Sequence, residues 1–211
     1  MTAGLELRDL RLELAGRPLL GPLTLAIAPG EIVTLMGPSG CGKSSLLALI
    51  CGTLDPVFTG HGHILLDGQD IGGLPPERRG IGILFQDDML FPHMTVGENL
   101  GFAVPRNAHN RGERQALIES ALGEAGLEGF SGRDPATLSG GQRARIALLR
   151  TLLSHPRALL LDEPFGKLDA DLRASFSELV FGHARRRGLP TLLVTHDPID
   201  AQAAGGRIVP F

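Results

Sequence analysis

The segment at residues 37–45 constrains this chain most, because it reads Gly-Pro-Ser-Gly-Cys-Gly-Lys-Ser-Ser and matches the phosphate-binding pattern G-x-x-x-x-G-K-[ST]. The apolar run at 31–36 is short enough for a buried strand, and the run at 45–50 predicts a helix. Glycines between them let backbone N–H groups converge on phosphate oxygens at a helix N-terminus. Lys43 would reach the β- and γ-phosphates, and the Ser44 hydroxyl would ligate Mg²⁺. The candidate nucleotide-binding residues of the loop are Gly37, Pro38, Ser39, Gly40, Cys41, Gly42, Lys43, Ser44 and Ser45.

The size and composition of the chain limit its class. At 211 residues and 43% hydrophobic, it can bury one substantial core and is most simply one domain. The net charge of −3 gives no electrostatic reason to expect a nucleic-acid partner. No apolar run reaches the roughly 18 residues of a membrane span, and the N-terminus lacks the basic start and apolar run of a signal peptide. We therefore expect a soluble, cytoplasmic protein whose two cysteines are reduced.

Short apolar runs recur on both sides of the phosphate loop. Leucines alternate through residues 4–28, which predicts half-buried antiparallel strands, and the alternation changes phase near Asp9, as at a β-bulge. A run at 63–66 ends at Asp67-Gly68, a hairpin signal. Runs at 81–85, 158–161 and 192–195 alternate with helical patterns, which favours a mostly parallel sheet with ligands at the carboxyl ends of its strands.

The middle of the chain is rich in helical patterns and poor in strand patterns. One amphipathic stripe is formed by Leu117, Ile118, Ala121, Leu122 and Ala125. We interpret residues 88–153 as a helical subdomain inserted into an α/β core, whose two parts are residues 1–87 and 154–211.

Polar side chains follow three of the predicted strands. Gln86 ends the run at 81–85, Asp162 and Glu163 end the run at 158–161, and His196 follows the run at 192–195. In a chain with a phosphate loop, a carboxylate at the tip of an apolar strand is typical of the acid that P-loop NTPases use on the Mg²⁺ side.

A second glycine-rich helix start lies at residues 138–142. Ser139 and Gln142 fit a capping box, which by itself predicts an ordinary helix start. A capping box does not require two glycines, however. Gly140 and Gly141 would be explained if backbone N–H groups at this helix start approached an anion closely.

Together these motifs resemble the ATP-binding subunit of an ABC transporter over essentially the whole chain. Their shared order and spacing make the resemblance more specific than any one motif. Residues 90–99 are similar to bacterial importer ATPases of the branch serving sugars, polyamines, ferric iron, sulfate and thiamine, and the short chain resembles the minimal, thiamine-type members of that branch. The matching segments are a Walker A loop at 37–45, a Q-loop at Gln86, a signature at 138–142, a Walker B strand at 159–162 followed by Glu163, a D-loop at Leu168-Asp169 and a switch histidine at His196.

The resemblance implies a fold and a set of partners. The fold is a P-loop NTPase (RecA-like) core with a mostly parallel sheet, an N-terminal antiparallel β subdomain and an inserted helical subdomain. ATP and Mg²⁺ are the implied cofactors, and two copies of the chain would form a sandwich in which the signature of one closes the Walker A site of the other. The other implied partners are integral membrane permease subunits and, indirectly, a substrate-binding protein. The chain would then be peripheral, at the cytoplasmic face of the inner membrane.

The resemblance also implies a role for each site residue. Glu163 would be the general base for the attacking water, His196 would hold the γ-phosphate and that water, and Lys43 would neutralise phosphate charge. Ser44, Gln86 and Asp162 would be the metal-side residues, with Gln86 sensing the metal. The partner copy would contribute Ser139, Gly140, Gly141 and Gln142 to the nucleotide, while Asp169 would connect the two sites.

Two departures from the family pattern lead to further expectations. The aromatic residue that usually stacks on adenine would fall near Leu14, but the chain has no Tyr or Trp and its first Phe is Phe58. We therefore expect no aromatic side chain to stack on the base within the chain, which leaves Arg17 as a candidate cation–π contact. The chain ends 15 residues after His196, so we expect it to lack the regulatory domain appended to many importer ATPases.

Three other functions fit parts of the sequence. A non-transport ABC ATPase in DNA repair or translation would usually carry coiled-coil insertions, zinc modules or two cassettes, and none is visible here. A small-molecule kinase would share the phosphate loop but would have no use for the second glycine-rich helix start. An exporter ATPase is disfavoured by residues 90–99. The sequence does not name the transported substrate, since specificity resides in other chains.

Overall fold

A computed structural model describes residues 4–105 and 110–211, so short stretches of the predicted core and helical subdomain, residues 1–3 and 106–109, lie outside it. Nine strands and six α-helices are found in the described part. In chain order they are β1 (Leu5–Leu14), β2 (Arg17–Ile27), β3 (Ile32–Met36), α1 (Lys43–Cys51), β4 (Phe58–Leu66), β5 (Gln69–Asp70), β6 (Ile81–Leu84), α2 (Val96–Ala103), α3 (Arg111–Glu124), α4 (Gly140–Leu153), β7 (Ala158–Asp162), α5 (Ala170–Arg186), β8 (Thr191–Thr195), α6 (Pro198–Ala204) and β9 (Arg207–Pro210).

The larger sheet is parallel and confirms the predicted α/β class. Its strand order is β6-β7-β8-β3-β9, and all its pairs are parallel. The carboxyl ends of β3, β6, β7 and β8 therefore lie at one edge, where ligands bind in open parallel sheets. β9 and α6 escaped the sequence analysis because each is short, and β9 is an edge strand that is mostly exposed and ends at Pro210.

The smaller sheet is antiparallel, with the order β2-β1-β4-β5. Its pairing shifts register between Leu7 and Leu10, and Asp9 there has a φ of 50°, which confirms the irregularity predicted near Asp9. At the end of this sheet that lies against the phosphate loop, Leu14 on β1 pairs with Phe58 on β4.

Three clusters of buried apolar side chains hold these layers together. One cluster lies between the two sheets and includes Leu5 on β1, Leu46 on α1 and Leu160 on β7. A second contains residues of the parallel sheet together with α4 and α5, with Phe165, Phe176 and Phe181 in edge-to-face contact. The third joins α2, α3 and α4. Helices α2, α3 and α4 all fall between β6 and β7, in the segment predicted to be helical.

Helix α4 contributes to two of these clusters at once. Ile146 and Leu149 belong to the helical cluster, whereas Ala147 and Leu148 pack with the sheet cluster. The helix that begins at the second glycine-rich segment is thereby fixed to both layers. Within the described ranges, no helix has both the length and the apolar character needed to cross a membrane.

Candidate functional site

The phosphate loop leaves β3 at Met36 and enters α1 at Lys43. Gly40 and Gly42 have φ values of 81° and 100°, a left-handed backbone that residues with a Cβ rarely adopt. Gly42 stands at the N-cap of α1, where no side chain caps the helix. The first-turn N–H groups of α1 thus have no side-chain cap to compete with a phosphate.

A cavity of about 390 Å³ opens above this loop and collects most of the predicted site residues. Side chains or backbone from both sheets, the loop and α1 line it. The lining residues are Leu14, Leu19, Ser39, Gly40, Gly42, Lys43, Ser44, Ser45, Phe58, Gln86, Asp162 and Glu163. The predicted loop residues Gly37, Pro38 and Cys41 are not among the described residues that line this cavity.

Lys43 is almost fully buried, with 5% of its surface exposed. Its Nζ donates to the Gly37 carbonyl at 2.8 Å and to the Pro38 carbonyl at 2.7 Å, and it lies 4.0 Å from Glu163 Oε1. Cys41 Sγ also contacts the Pro38 carbonyl, at 2.9 Å. A buried ammonium needs such partners, and the loop carbonyls supply them while the cation stays at the cavity wall.

Ser44 and Asp162 meet across the cavity from different elements. Ser44 Oγ donates to Asp162 Oδ1 at 3.2 Å. Burial raises the pKa of the Asp162 carboxyl, an effect that the hydrogen bond from Ser44 opposes. Gln86, which follows β6, lines the same cavity. A hydroxyl, a carboxylate and an amide oxygen are ligands suited to Mg²⁺, which is usually held by few protein groups together with substrate phosphates.

No cluster of three or more His, Cys, Asp or Glu side chains suited to a metal is found among the described residues. The donor set at Ser44, Gln86 and Asp162 fits a hard cation that completes its shell with phosphate and water oxygens.

Glu163 and His196 form a pair beside the metal-side residues. Glu163 Oε1 lies 3.0 Å from His196 Nδ1. The Glu163 backbone has a φ of 45°, and its N–H donates to the Val194 carbonyl at 3.0 Å. A left-handed residue other than glycine costs of order 1–3 kcal/mol and tends to occur at functional sites. The strained turn after β7 directs this carboxylate toward the residue that follows β8.

The second glycine-rich segment forms the predicted capping box at the start of α4. Ser139 Oγ accepts from the Gln142 N–H at 3.3 Å, and Gln142 Oε1 accepts from the Ser139 N–H at 3.0 Å. Ser139 and Gly140 are exposed, and neither they nor Gly141 or Gln142 are among the described residues that line the phosphate-loop cavity. Among the described residues, the second glycine-rich segment does not share the phosphate-loop cavity with the first.

The two glycines of this segment have different surroundings. A Cβ at Gly141 would lie 2.3 Å from Leu172 Cδ2 on α5, so a larger residue there would force the Leu172 side chain to move. A Cβ at Gly140 would come no nearer to another group than 3.9 Å, from Arg143 Nη2. Among the described residues, no steric contact therefore opposes a side chain at Gly140.

Asp169 caps the N-terminus of α5, because its Oδ1 accepts from the Leu172 N–H at 3.0 Å. The residue is exposed and is not among the described residues that line the phosphate-loop cavity. To connect two sites as predicted, Asp169 would therefore have to contact another molecule.

An aromatic residue lies beside Leu14, where no sign of one was visible in the sequence. Phe58 is the β4 partner of Leu14, and both side chains line the cavity. Arg17, the candidate cation–π residue, is not among the described residues of that lining. Phe58 is far from Leu14 in the sequence, and the pairing of β4 with β1 brings the two residues together.

Residues 87–89, which follow Gln86, make contacts that were not predicted from the sequence. Arg143 Nε donates to Asp88 Oδ2 at 2.8 Å, and Arg150 Nη1 donates to the Met89 carbonyl at 2.8 Å. Lys167 pairs with Asp87. Helix α4 and the turn after β7 thereby hold the segment that carries Gln86. Adjacent acidic residues at 87 and 88 were the only signal in the sequence, and it did not identify their partners.

Comparisons with known proteins place the chain among ATP-binding proteins. A model of the family described as ABC transporter matches residues 20–166. A protein of Escherichia coli K12 named as the uncharacterized ABC transporter ATP-binding protein YnjD is 48% identical over 196 residues, which cover 93% of this chain and 90% of that protein.

Two other relatives carry names that state an imported substrate. The spermidine/putrescine import ATP-binding protein PotA of Nitrosomonas europaea is 43% identical over 97% of this chain. The Fe(3+) ions import ATP-binding protein FbpC of Escherichia coli K12 is 37% identical over 97% of this chain. The chain spans 56% of the length of the first and 58% of the length of the second.

Proposed function

Because the chain belongs to the ABC transporter family of ATP-binding proteins and is an ATPase of that family, we propose that it powers a bacterial importer. Two copies would bind ATP between them, head to tail, and hydrolyse it. The pair would act from the cytoplasmic face of the inner membrane on integral membrane permease subunits, which a substrate-binding protein supplies. The names of the import ATP-binding relatives support the direction of transport.

The observation that carries this proposal is the convergence of Lys43, Ser44, Asp162 and Glu163 on one cavity. They arrive from the phosphate loop and from the tip of a neighbouring parallel strand. Next to the phosphate loop, Ser44 contacts Asp162 on the side proposed for the metal. Glu163 contacts His196 on the side proposed for the general base.

In the proposed reaction, water attacks the γ-phosphorus of ATP and ADP leaves. Glu163 accepts a proton from that water as its oxygen bonds to phosphorus, and His196 orients Glu163 and contacts the γ-phosphate. Lys43 gives up its loop carbonyls to neutralise the β- and γ-phosphate oxygens, and the loop N–H groups bind the remaining oxygens. Mg²⁺, held by Ser44, Asp162 and Gln86, would add further charge neutralisation when bound.

The partner copy would complete each site with its own second glycine-rich segment. Ser139 and the N–H groups at Gly140 and Gly141 are donors at an exposed helix start, which suits a γ-phosphate. Gln142 would keep Ser139 in place through the capping box, and Asp169 would contact the opposite copy. The separation of this segment from the cavity within one chain supports a composite site.

The base of the nucleotide would lie against the wall that Leu14 and Phe58 form. Both are apolar, both line the cavity, and Phe58 offers the ring face that the pattern around Leu14 lacks. Stacking on a phenyl ring is tolerant of base identity. We therefore expect the phosphates to carry most of the affinity and the base to carry a smaller share.

The permease contact is proposed for the exposed apolar surface of the helical segment and the turn before it. Phe85, Met89 and Phe102 expose 43%, 60% and 66% of their surface. Phe102 also lines a surface cavity with His93, Met94 and Arg114. Contiguous exposed apolar patches mark contact sites in soluble proteins. Co-purification with membrane permease subunits, lost on Phe102→Asp, would separate a transport ATPase from a repair or translation ATPase.

Mixing two inactive variants tests the composite site. Lys43→Ala removes the phosphate cation from its own loop, and Ser139→Arg blocks the segment offered to the partner. A mixed dimer then has one site with both defects and one with neither, so ATP hydrolysis should rise above that of either variant alone. A mixture that never exceeds the separate variants, or a Ser139→Arg chain that hydrolyses ATP at the wild-type rate, would contradict the proposal.

A further inference from the structure

A partly buried ion cluster flanks His196 in the chain and has no part in the mechanism described so far. Arg173 on α5 donates through Nη2 to Asp197 Oδ2 at 2.5 Å and through Nε to Asp200 Oδ1 at 2.7 Å. The side chains of Arg173 and Asp197 expose 18% and 28% of their surface, and that of Asp200 exposes 4%. Because the arginine meets two carboxylates with two of its nitrogens, the arrangement has the directional character of charge-assisted hydrogen bonds.

The cluster encloses the residues on both sides of His196. Thr195, which precedes it, donates through Oγ1 to Asp200 Oδ2 at 3.2 Å. The N–H of Asp197, which follows it, donates to Thr195 Oγ1 at 3.0 Å. Asp197 also caps α6, through a 2.8 Å hydrogen bond from the Ile199 N–H. The backbone before and after His196 is therefore tied to one arginine.

The His196 side chain itself is held much less firmly. It exposes 54% of its surface and meets Glu163 Oε1 at 3.0 Å. An imidazole with so much exposed surface keeps a fixed position mainly through its backbone, and that backbone is the part that Arg173 restrains. The contact between His196 and Glu163 thus depends on where Arg173 holds the turn.

Arg173 also connects this turn to the start of α5. Its N–H donates to the Asp169 carbonyl at 2.8 Å, so the two residues lie one helical turn apart. Asp169 is exposed and caps the same helix. A shift of the first turn of α5 would move the guanidinium and, with it, the residues that flank His196.

We propose that Arg173 is a positioning residue for ATP hydrolysis, which holds His196 against Glu163 and connects the Asp169 turn of α5 to that pair. The inference rests on the proposed function, in which Glu163 and His196 act on the attacking water. Arg173 lines a different cavity from the nucleotide, so it acts through His196 and not through contact with ATP.

The test compares Arg173→Gln with a matched variant of the same helix, Arg185→Gln. Arg185 donates through Nη2 to the Ala204 carbonyl at the end of α6, so it also joins α5 to α6 but leaves the His196 turn untouched. Arg173→Gln should lower kcat roughly tenfold to a hundredfold, the range for a slightly misplaced catalytic group. The KM for ATP and the Kd for ATP should change less than about twofold, because uniform binding is retained. Arg185→Gln should leave kcat unchanged.

A double-mutant cycle shows whether the effect passes through His196. In a His196→Ala background, Arg173→Gln should lower kcat no further. Asp197→Asn, which keeps the α6 cap but removes the charge facing Arg173, should lower kcat in the same direction and serves if Arg173→Gln does not fold. Equal losses in Arg173→Gln and Arg185→Gln, or additive losses with His196→Ala, would overturn the inference. A wild-type chain without ATPase activity, or His196→Ala with full turnover, would instead refute the proposed function.

Discussion

Replacing Phe58 by leucine tests the base-binding part of the site most sharply. The change keeps an apolar side chain on β4 beside Leu14 and removes only the ring face. Stacking of a base on an aromatic ring is worth roughly 1–3 kcal/mol. Since about 1.4 kcal/mol corresponds to a tenfold change in Kd, Phe58→Leu should weaken ATP binding by about tenfold.

The assay is a titration of the wild type and Phe58→Leu with ATP, GTP and inorganic tripolyphosphate. Tripolyphosphate has no base, so its Kd should be the same for both proteins. We expect the wild type to bind GTP within about tenfold of ATP, because stacking discriminates weakly among bases. The kcat of Phe58→Leu should stay near that of the wild type, because stacking holds ground state and transition state alike.

Two outcomes would contradict this account of the base. If Phe58→Leu binds ATP as tightly as the wild type, the ring does not contact the base. If ATP and tripolyphosphate weaken equally, the substitution has disturbed the phosphate loop instead. Leu14→Tyr is the converse variant, since it adds a second ring to the same wall and should tighten ATP binding without tightening tripolyphosphate binding.

Two further predictions concern single residues around the site. Gly141→Ala should lower the free energy of unfolding in urea by about 1–3 kcal/mol, because its methyl group would overpack against Leu172. Gly140→Ala should unfold like the wild type but lose ATP turnover. Equal losses of stability in the two variants would contradict this distinction. Burial raises the pKa of the Cys51 thiol to about 11, so iodoacetamide at pH 8 should modify Cys41 before Cys51, and ATP should protect Cys41. Mass spectrometry would follow the labelling of each cysteine. If ATP does not slow the labelling of Cys41, this cysteine does not lie beside bound ATP.

Most of the phosphate-loop site could be predicted because its residues sit at the ends of short apolar strands. In a parallel sheet, strand ends meet at one edge whatever their order in the chain. Gln86 and His196 follow strands of this kind and Asp162 ends one, so recognising the strands was enough to predict that all three lie at that edge. The phase change near Asp9 was similarly visible as a local break in the alternation of leucines.

The features that escaped prediction depend on contacts between distant segments. Phe58 reaches the cavity through the register of β4 on β1, which neither strand reveals alone. Leu172 packs close to Gly141 from another helix. Arg173 on α5 pairs with the carboxylates of Asp197 and Asp200, which follow β8 in the chain. Local patterns describe faces and ends of elements, whereas these contacts follow from how the elements pack.

The mass of the Glu163→Gln variant in solution tests the central claim most directly. Glutamine keeps a hydrogen-bonding group beside His196 but cannot accept the proton of the attacking water, so ATP should bind and remain unhydrolysed. Size-exclusion chromatography with light scattering should then give twice the 22.3 kDa of one chain in ATP and Mg²⁺, and 22.3 kDa with ADP. Adding Ser139→Arg to the same variant should abolish the dimer. A Glu163→Gln chain that stays monomeric in ATP, or that hydrolyses ATP at nearly the wild-type rate, would contradict hydrolysis by Glu163 at a site shared between two copies.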